Sequence, residues 1–299
     1  MPSTPEVTAT DADPWATARV VMVDWSAAAG PTRGADSIWI GHGDDVEHVA
    51  AENVATRAAA VRRLAELCAV DRRVVIGLDA SLGTPAGLAE CFGHDGPDDG
   101  RWRTVWQAVT SEVHDADDND NDRFEAAGRL NRRIGADGGP FWGHPHGRVI
   151  DHLAPTSPSW PVEVDGRRLA EHRAVERRLL DQGLRPQSTW KLAYQASVGS
   201  QFLTALGRIE QLHRLLDGDL AVWPFEDHDT ARVVLAEVWP GRHDWAPGEG
   251  PRDRDQVVGV AAELLAWRHD GRLTAALEQR RSIPTAARSE EGWVLGVEA

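Results

Sequence analysis

The chain has 299 residues, 41% of them hydrophobic, a mean hydropathy of -0.41 and a formal net charge of -15. That length suffices for a full core, and no apolar run is long enough to span a bilayer, so no membrane role is expected. The negative balance argues against a protein that coats long nucleic acid, whose phosphates call for a basic surface.

Residues 1–16 are polar and contain Pro, Thr and Asp, without a basic stretch followed by an apolar one. They read as a disordered tail and not as a signal peptide. Cys68 and Cys91 are the only cysteines, which points to a reducing, cytoplasmic setting without a disulfide framework.

Residues 17–93 read as the first part of an α/β core. Val20-Val21-Met22-Val23-Asp24 is a strand, Ser37-Ile38-Trp39-Ile40 a second and residues 46–50 a short third. A helix over residues 54–69 carries Val54, Val61, Leu64 and Cys68 on one stripe. Val74-Val75-Ile76-Gly77-Leu78-Asp79 makes the fourth strand. A three-strand meander followed by a crossing helix is expected to place the first and fourth strands side by side and parallel.

Residues 94–219 are loop-rich and then helical, and read as an insertion or cap. Asp115 to Asp122 (DADDNDND) begins like a calcium loop, but Asp120 stands where glycine is required and Ala126 where the closing glutamate belongs. A solvated acidic loop is therefore expected. Helices are expected over 167–182, stopped by Gly183 and Pro186, and over 201–217, with Gly218 beyond its end. Residues 220–299 resume the core with strands at 220–223 and 232–238 and helices at 253–269 and 273–279. The apolar segment 293–297 is expected to dock as an extra strand.

Strands one and four both end on an aspartate, and the helix near residue 253 opens on two more. Rim carboxylates that converge repel one another unless a divalent cation sits between them. Two magnesium ions roughly 4 Å apart can activate a water and stabilise the leaving oxygen of a phosphodiester, given three or four such ligands. Asp24, Asp79, Glu237 and Asp255 are the expected catalytic set. Asp24, Asp79, Asp255 and Asp253 are the expected ligands of Mg²⁺ or Mn²⁺. Asp255 precedes Gly259 and Ala262 by four and seven residues, so it is expected on the helix face that meets the sheet. Taken singly, each acid is equally well a helix-start or turn residue.

A second candidate is Ser197-Val198-Gly199-Ser200, which opens a helix, with Lys191 just before it. Free amides at a helix start bind phosphate, and an ammonium adds a point charge; an ordinary N-cap by Ser197 or Ser200 is the competing reading. Lys191 is the only lysine in the chain. Among the 13 Trp, against one Tyr and five Phe, Trp142, Trp160, Trp190, Trp223, Trp239 and Trp245 lie near Pro or Gly. Two or three of these rings are expected to line a groove where bases stack, the rest to fill the core. His144-Pro145-His146 lacks a nearby acidic third ligand and is a weak metal motif. No GxxxxGK[ST], GxSxG or cysteine metal spacing occurs.

Taken together, VDWSA (23–27), GLDASLGTPAG (77–87), NDRFEAAGRLN (121–131), PFWGHP (140–145), SVGSQ (197–201), VWPFE (222–226), AEVWPG (236–241), DRDQVVGVAAELLAW (253–267) and EEGWVLGV (290–297) resemble the predicted ribonuclease-H-like nuclease family of uncharacterised proteins, some labelled for molybdopterin guanine dinucleotide synthesis. The resemblance implies a ribonuclease-H-like mixed sheet flanked by helices and an acidic site at Asp24, Asp79, Glu237 and Asp255. A nuclease or phosphodiesterase acting on short or structured nucleic acid or a nucleotide is the leading expectation. A non-catalytic nucleotide- or phosphate-binding protein of the same fold is the alternative. Oligomeric state is not readable from the chain.

Overall fold

The computed structural model describes residues 13–97, 99–195 and 197–299. The first segment contains β1 (Arg19–Asp24), β2 (Ile38–Gly43), β3 (Ala50–Val54), α1 (Arg57–Cys68) and β4 (Val74–Asp79). Next come α2 (Leu88–Cys91), α3 (Arg101–Glu112), α4 (Arg123–Arg133), β5 (Val162–Val164), β6 (Arg167–Leu169), α5 (Ala174–Asp181) and α6 (Val198–Leu215). The chain closes with β7 (Leu220–Trp223), β8 (Val233–Glu237), α7 (Arg252–His269) and α8 (Arg272–Glu278).

Six strands form one mixed sheet in the order β3-β2-β1-β4-β8-β7. The β1–β2 and β2–β3 pairs are antiparallel, whereas β1, β4, β8 and β7 run parallel to one another. The central strands are buried on both faces, as their unbroken Val/Ile/Leu runs require. Val21, Val23, Ile76, Leu78 and Leu235 face one hydrophobic layer with α1, α3 and α6. Val20, Met22, Val75, Val234 and Ala236 face the other, with α7 and α8. This alternation fixes which rim side chains can meet, since successive residues of a strand point to opposite faces.

Helix α7 crosses β1 and β2 closely. The buried residues Val257, Val260, Ala261, Leu264 and Leu265 form its inner stripe. Contact with the sheet is allowed by Gly41 of β2, where an added Cβ would lie 2.5 Å from the carbonyl oxygen of Val257. Gly259 instead accommodates Trp245, 2.4 Å from where its Cβ would be.

Several expectations need correction. The third strand begins at Ala50, not at 46, because Asp45 Oδ1 accepts the amides of Glu47 and His48 and holds a turn there. A helix over 167–182 is replaced by the β5–β6 hairpin and the shorter α5. The hairpin turn is Asp165-Gly166, both with positive φ (48° and 77°), an Asp-Gly signal that the charged helical pattern obscured. The 293–297 segment docks at one point, where Val294 bridges Glu237 and the Leu295 amide donates to the Glu237 carbonyl at 2.9 Å. Of the expected tail, residues 1–12 lie outside the described residues, while 14–17 form a turn and Trp15 is buried.

The acidic run is no simple solvated loop either. Asp115 pairs with the fully buried Arg57 and, at 2.7 Å, with Arg208 of α6. Asn119, 1% exposed, accepts the Arg57 amide at 2.8 Å. Asp117 joins this network through Arg208 at 3.1 Å, although its side chain is largely exposed. Buried arginines need such partners to offset lost hydration, so part of the run fastens α1 to α6.

Candidate functional site

Asp24 and Asp79 occupy paired positions at the ends of the parallel strands β1 and β4. Neighbouring strands lie about 4.8 Å apart, and by parity both side chains fall on the α7 side of the sheet. No described residue forms an ion pair with either one. Asp24 accepts no side-chain hydrogen bond from the described residues, and Asp79 receives a single one, from Gln256 Nε2 at 3.3 Å. Burial, then the charge of Asp79 followed by those of Asp253 and Asp36, holds the Asp24 carboxyl well above the usual range. Burial and then the charge of Glu237 push Asp79 up to about 7, with Gln256 opposing. Two acids side by side at the sheet rim, with no ion pair to a described residue and only the charge of Arg252 opposing the rise at Asp24, are a costly arrangement.

The start of α7 completes the cluster, though not with the expected residue. Asp253 lines the same cleft as Asp24 and Asp79, and its Oδ2 accepts the Asp36 amide at 2.8 Å. Asp255 lies two residues on, about 200° around a helix of 3.6 residues per turn. It therefore turns away, takes the Gly248 amide at 2.7 Å and approaches Arg254 at 3.4 Å. The stripe 253, 257, 260, 264 is the inward one; 255, 259 and 262 lie off it.

Glu237 is also not brought into the cluster. It pairs with Leu78 in the register, so it follows the opposite face from Asp79. There Arg173 holds it through two hydrogen bonds, Nη1 to Oε2 at 2.8 Å and Nη2 to Oε1 at 2.6 Å. Arg173 also binds Glu176 at 2.8 Å, and all three side chains are buried. The Leu82 amide adds a bond of 3.1 Å to Glu237. Bidentate pairing of this kind satisfies a carboxylate fully.

The expected phosphate site around Lys191 is used internally. Lys191 Nζ donates to the Gln195 carbonyl at 2.8 Å and to Gln187 Oε1 at 3.2 Å. The Gly199 amide is taken by the Lys191 carbonyl at 2.8 Å, and Gly199 is required there because a Cβ would lie 2.4 Å from the Thr189 carbonyl oxygen. Ser200 Oγ donates to the Leu192 carbonyl at 2.6 Å. Ser197 sits at the helix start without a side-chain cap bond. Ser197 and Ser200 do line the acidic cleft; Lys191 and Gly199 do not.

That cleft encloses about 540 Å³, the size of a small-molecule site. Its lining includes Asp24, Asp79, Asp253, Gln256 and Arg252 from the strand ends and α7, and Arg123, Tyr194, Ser200 and Gln201 from the segment between β4 and β7. Arg123 and Tyr194 escaped the sequence reading. NDRFEAAGRLN singled out the neighbourhood of Arg123, but nothing in a helical pattern tells a cleft arginine from a surface one. None of the six loop tryptophans lines this cleft, where Trp25 stands instead; Trp190 and Trp223 are completely buried. His144 is buried, with Nδ1 3.1 Å from the Pro145 carbonyl oxygen.

Oxygen-only ligands of this kind fit a hard divalent cation. Among the described residues, the trio whose ligand atoms all lie within 4.8 Å of one another is Asp227, His228 and Asp229, consecutive in the β7–β8 loop. Asp227 Oδ1 accepts the Asp229 amide at 3.0 Å there, so the loop's own turn brings the two acids together. The cleft aspartates are more widely set as a trio.

No family model matches the chain, and no curated protein or solved structure matches it either. No helix among the described residues is long and apolar enough to cross a membrane.

Proposed function

We propose that this chain is a metal-dependent nuclease or phosphodiesterase of ribonuclease-H-like type, with Asp24, Asp79 and Asp253 as cation ligands. The observation that carries the reading is the register-paired Asp24 and Asp79, both with raised pKa and neither in an ion pair with a described residue. Strand order supports it as well, since a three-strand meander beside parallel strands puts these acids at one rim. Fold-level likeness alone would not carry a function; the unpaired carboxylates are what give the reading chemical content.

A divalent cation held there would supply electrostatic stabilisation to the phosphoryl oxygens and acidify a water. The protein's own residues set up the site. Gln256 orients Asp79 through its amide, and the Asp36 amide fixes the Asp253 carboxylate. Glu237, although paired with Arg173, still helps to raise the Asp79 pKa, but both its oxygens are engaged by Arg173. A reducing cytoplasm is the proposed setting, in keeping with two free thiols, Cys68 and Cys91.

The test is a panel of single-stranded, duplex and structured RNA and DNA incubated with Mn²⁺ or Mg²⁺. Metal-dependent cleavage that disappears in Asp24→Asn is expected. Inactivity of the wild type across the panel, or full activity of Asp24→Asn, would overturn the proposal.

A further inference from the structure

The buried arginines of this fold have acidic partners: Arg57 and Arg208 share Asp115, and Arg173 has Glu176 and Glu237. Arg123 is the exception in the cleft. It is half-buried, donates from Nε to Ser200 Oγ at 2.9 Å and from Nη1 to Asn121 Oδ1 at 2.8 Å, and forms no ion pair with a described residue. Nη2 has no hydrogen-bond partner among the described residues. The charges around it are mostly positive: Arg57 and Arg148 oppose its protonation and Glu125 alone favours it, while burial is the main force lowering it to about 10. Glu125 itself is engaged by Arg148. A desolvated guanidinium held by neutral groups, with an unused donor beside a cleft, lacks the anion that would offset its burial.

Tyr194 stands on the same cleft. It is the only tyrosine of the chain, it is 62% exposed, and its φ of 69° lies in the left-handed region that a bulky side chain seldom adopts. Its hydroxyl donates to the His144 carbonyl at 3.2 Å, which holds the ring in place. An exposed aromatic ring pinned at its far end, on a strained backbone, is suited to stacking and contributes little to the core.

We propose that this wall is the substrate-binding half of the cleft: Arg123 takes a phosphate group and Tyr194 stacks an unpaired base attached to it. The proposal rests on the nuclease reading for its setting and sharpens it to a substrate class, a single-stranded nucleic acid or a nucleotide. Duplex DNA is disfavoured by a cleft of small-molecule size and by a chain of net charge -15. Arg123 would bind through its fork while Ser200 and Asn121 hold its orientation, the geometry in which arginine reads phosphate best. Lys191, tied to Gln187 and Gln195, has no part in it.

Binding is measured by fluorescence anisotropy on the Asp24→Asn protein without metal, so that cleavage plays no part. The probe is a labelled single strand of about eight nucleotides, within the range one such groove holds. Unlabelled duplex and AMP serve as competitors, AMP separating a free nucleotide from an oligonucleotide as the preferred source. Arg123→Gln is expected to weaken binding about 10-fold or more, and Arg123→Lys by less, as a point charge replaces the fork. Tyr194→Ala is expected to weaken it roughly 5-fold or more, within the range of one lost stacking contact, and Tyr194→Phe to weaken it less, since the ring remains and only its pin is lost. Unchanged affinity in Arg123→Lys, Arg123→Gln and Tyr194→Ala would overturn the proposal, as would a wild-type wall that binds neither strand nor AMP. Should Arg123→Gln melt early, Arg123→Lys and Tyr194→Ala decide. Binding that depends on these residues in a protein that cleaves nothing would sink the nuclease reading and keep this one. Cleavage with KM and kcat unchanged in Arg123→Lys and Tyr194→Ala would do the reverse.

Discussion

Two neighbouring groups of carboxylates at one sheet rim are treated in opposite ways. Beside the end of β8, Glu237 and Glu176 share Arg173, and each carboxylate has that partner within 2.8 Å. On the α7 face, Asp24 and Asp79 lie side by side with Gln256 as their single side-chain donor. The first arrangement is what a fold does with acids it must bury for structural reasons. The second leaves two neighbouring acids with no ion pair to a described residue, Arg252 acting on Asp24 through its charge alone, and the functional proposal rests on that pair.

If that contrast is right, the largest effect of any substitution falls on the satisfied side. Arg173→Met leaves Glu176 and Glu237 buried and unpaired, and should cost about 3–5 kcal/mol. Chemical denaturation should show a sharply lowered midpoint or no folded protein; a loss under 1 kcal/mol would blur the distinction between the two groups.

On the unsatisfied side the sign reverses. Asp79→Asn removes one of two repelling acids, so the metal-free protein at pH 8 should gain roughly 1–3 kcal/mol, the usual range of a single substitution, while metal-dependent cleavage disappears. Thermal melts in EDTA check the first half. A variant that melts lower than wild type would mean the pair is stabilising as it stands.

The pH dependence follows from the same group. A carboxyl raised from 3.8 to about 7 on folding keeps its proton in the folded state. Its contribution to stability is complete below about 3.8 and is lost as pH rises through about 7. Metal-free wild type should therefore lose stability relative to Asp79→Asn across that window. Cleavage should show the opposite trend, rising through about pH 7 as the ligand deprotonates. Parallel pH profiles of wild type and Asp79→Asn stability would contradict this.

The smallest effect is expected at Asp255. Facing Gly248 and Arg254, it should tolerate Asp255→Asn with activity within about 2-fold and stability within roughly 1 kcal/mol, since the asparagine oxygen can still accept the Gly248 amide. Asp253→Asn, two residues earlier, should abolish cleavage. A reversal of these two would reassign the helix ligand.

Much of this was legible in the chain, and the failures share a cause. Strands β1 and β4 are nearly continuous apolar runs rich in Val, so their ends, Asp24 and Asp79, could be placed at one rim from composition and crossover rules. Asp253 and Asp255 could be assigned to a helix start, but choosing between them needs the phase of the inner stripe. That phase is set by where Gly41 lets Val257 approach, a property of a distant strand. Glu237 needed the parity of β8 against β4, which a one-residue register change inverts. Arg173, Arg123 and Tyr194 come from the long segment between β4 and β7, where no periodic signal says which side chains return to the rim. Asp115 and Asn119 were hidden because an acidic run looks the same whether or not a buried arginine is waiting for it.

The most direct test of the unpaired aspartates is Mn²⁺ binding followed by electron paramagnetic resonance on wild type, Asp24→Asn, Asp79→Asn and Glu237→Gln, each also carrying Asp227→Asn and Asp229→Asn to silence the separate loop trio. Binding in the wild-type background and in folded Glu237→Gln, lost in both aspartate variants, is the predicted result. Absence of binding in the wild-type background, or its persistence in Asp24→Asn and Asp79→Asn, would contradict the claim that these two carboxylates are built to hold a cation.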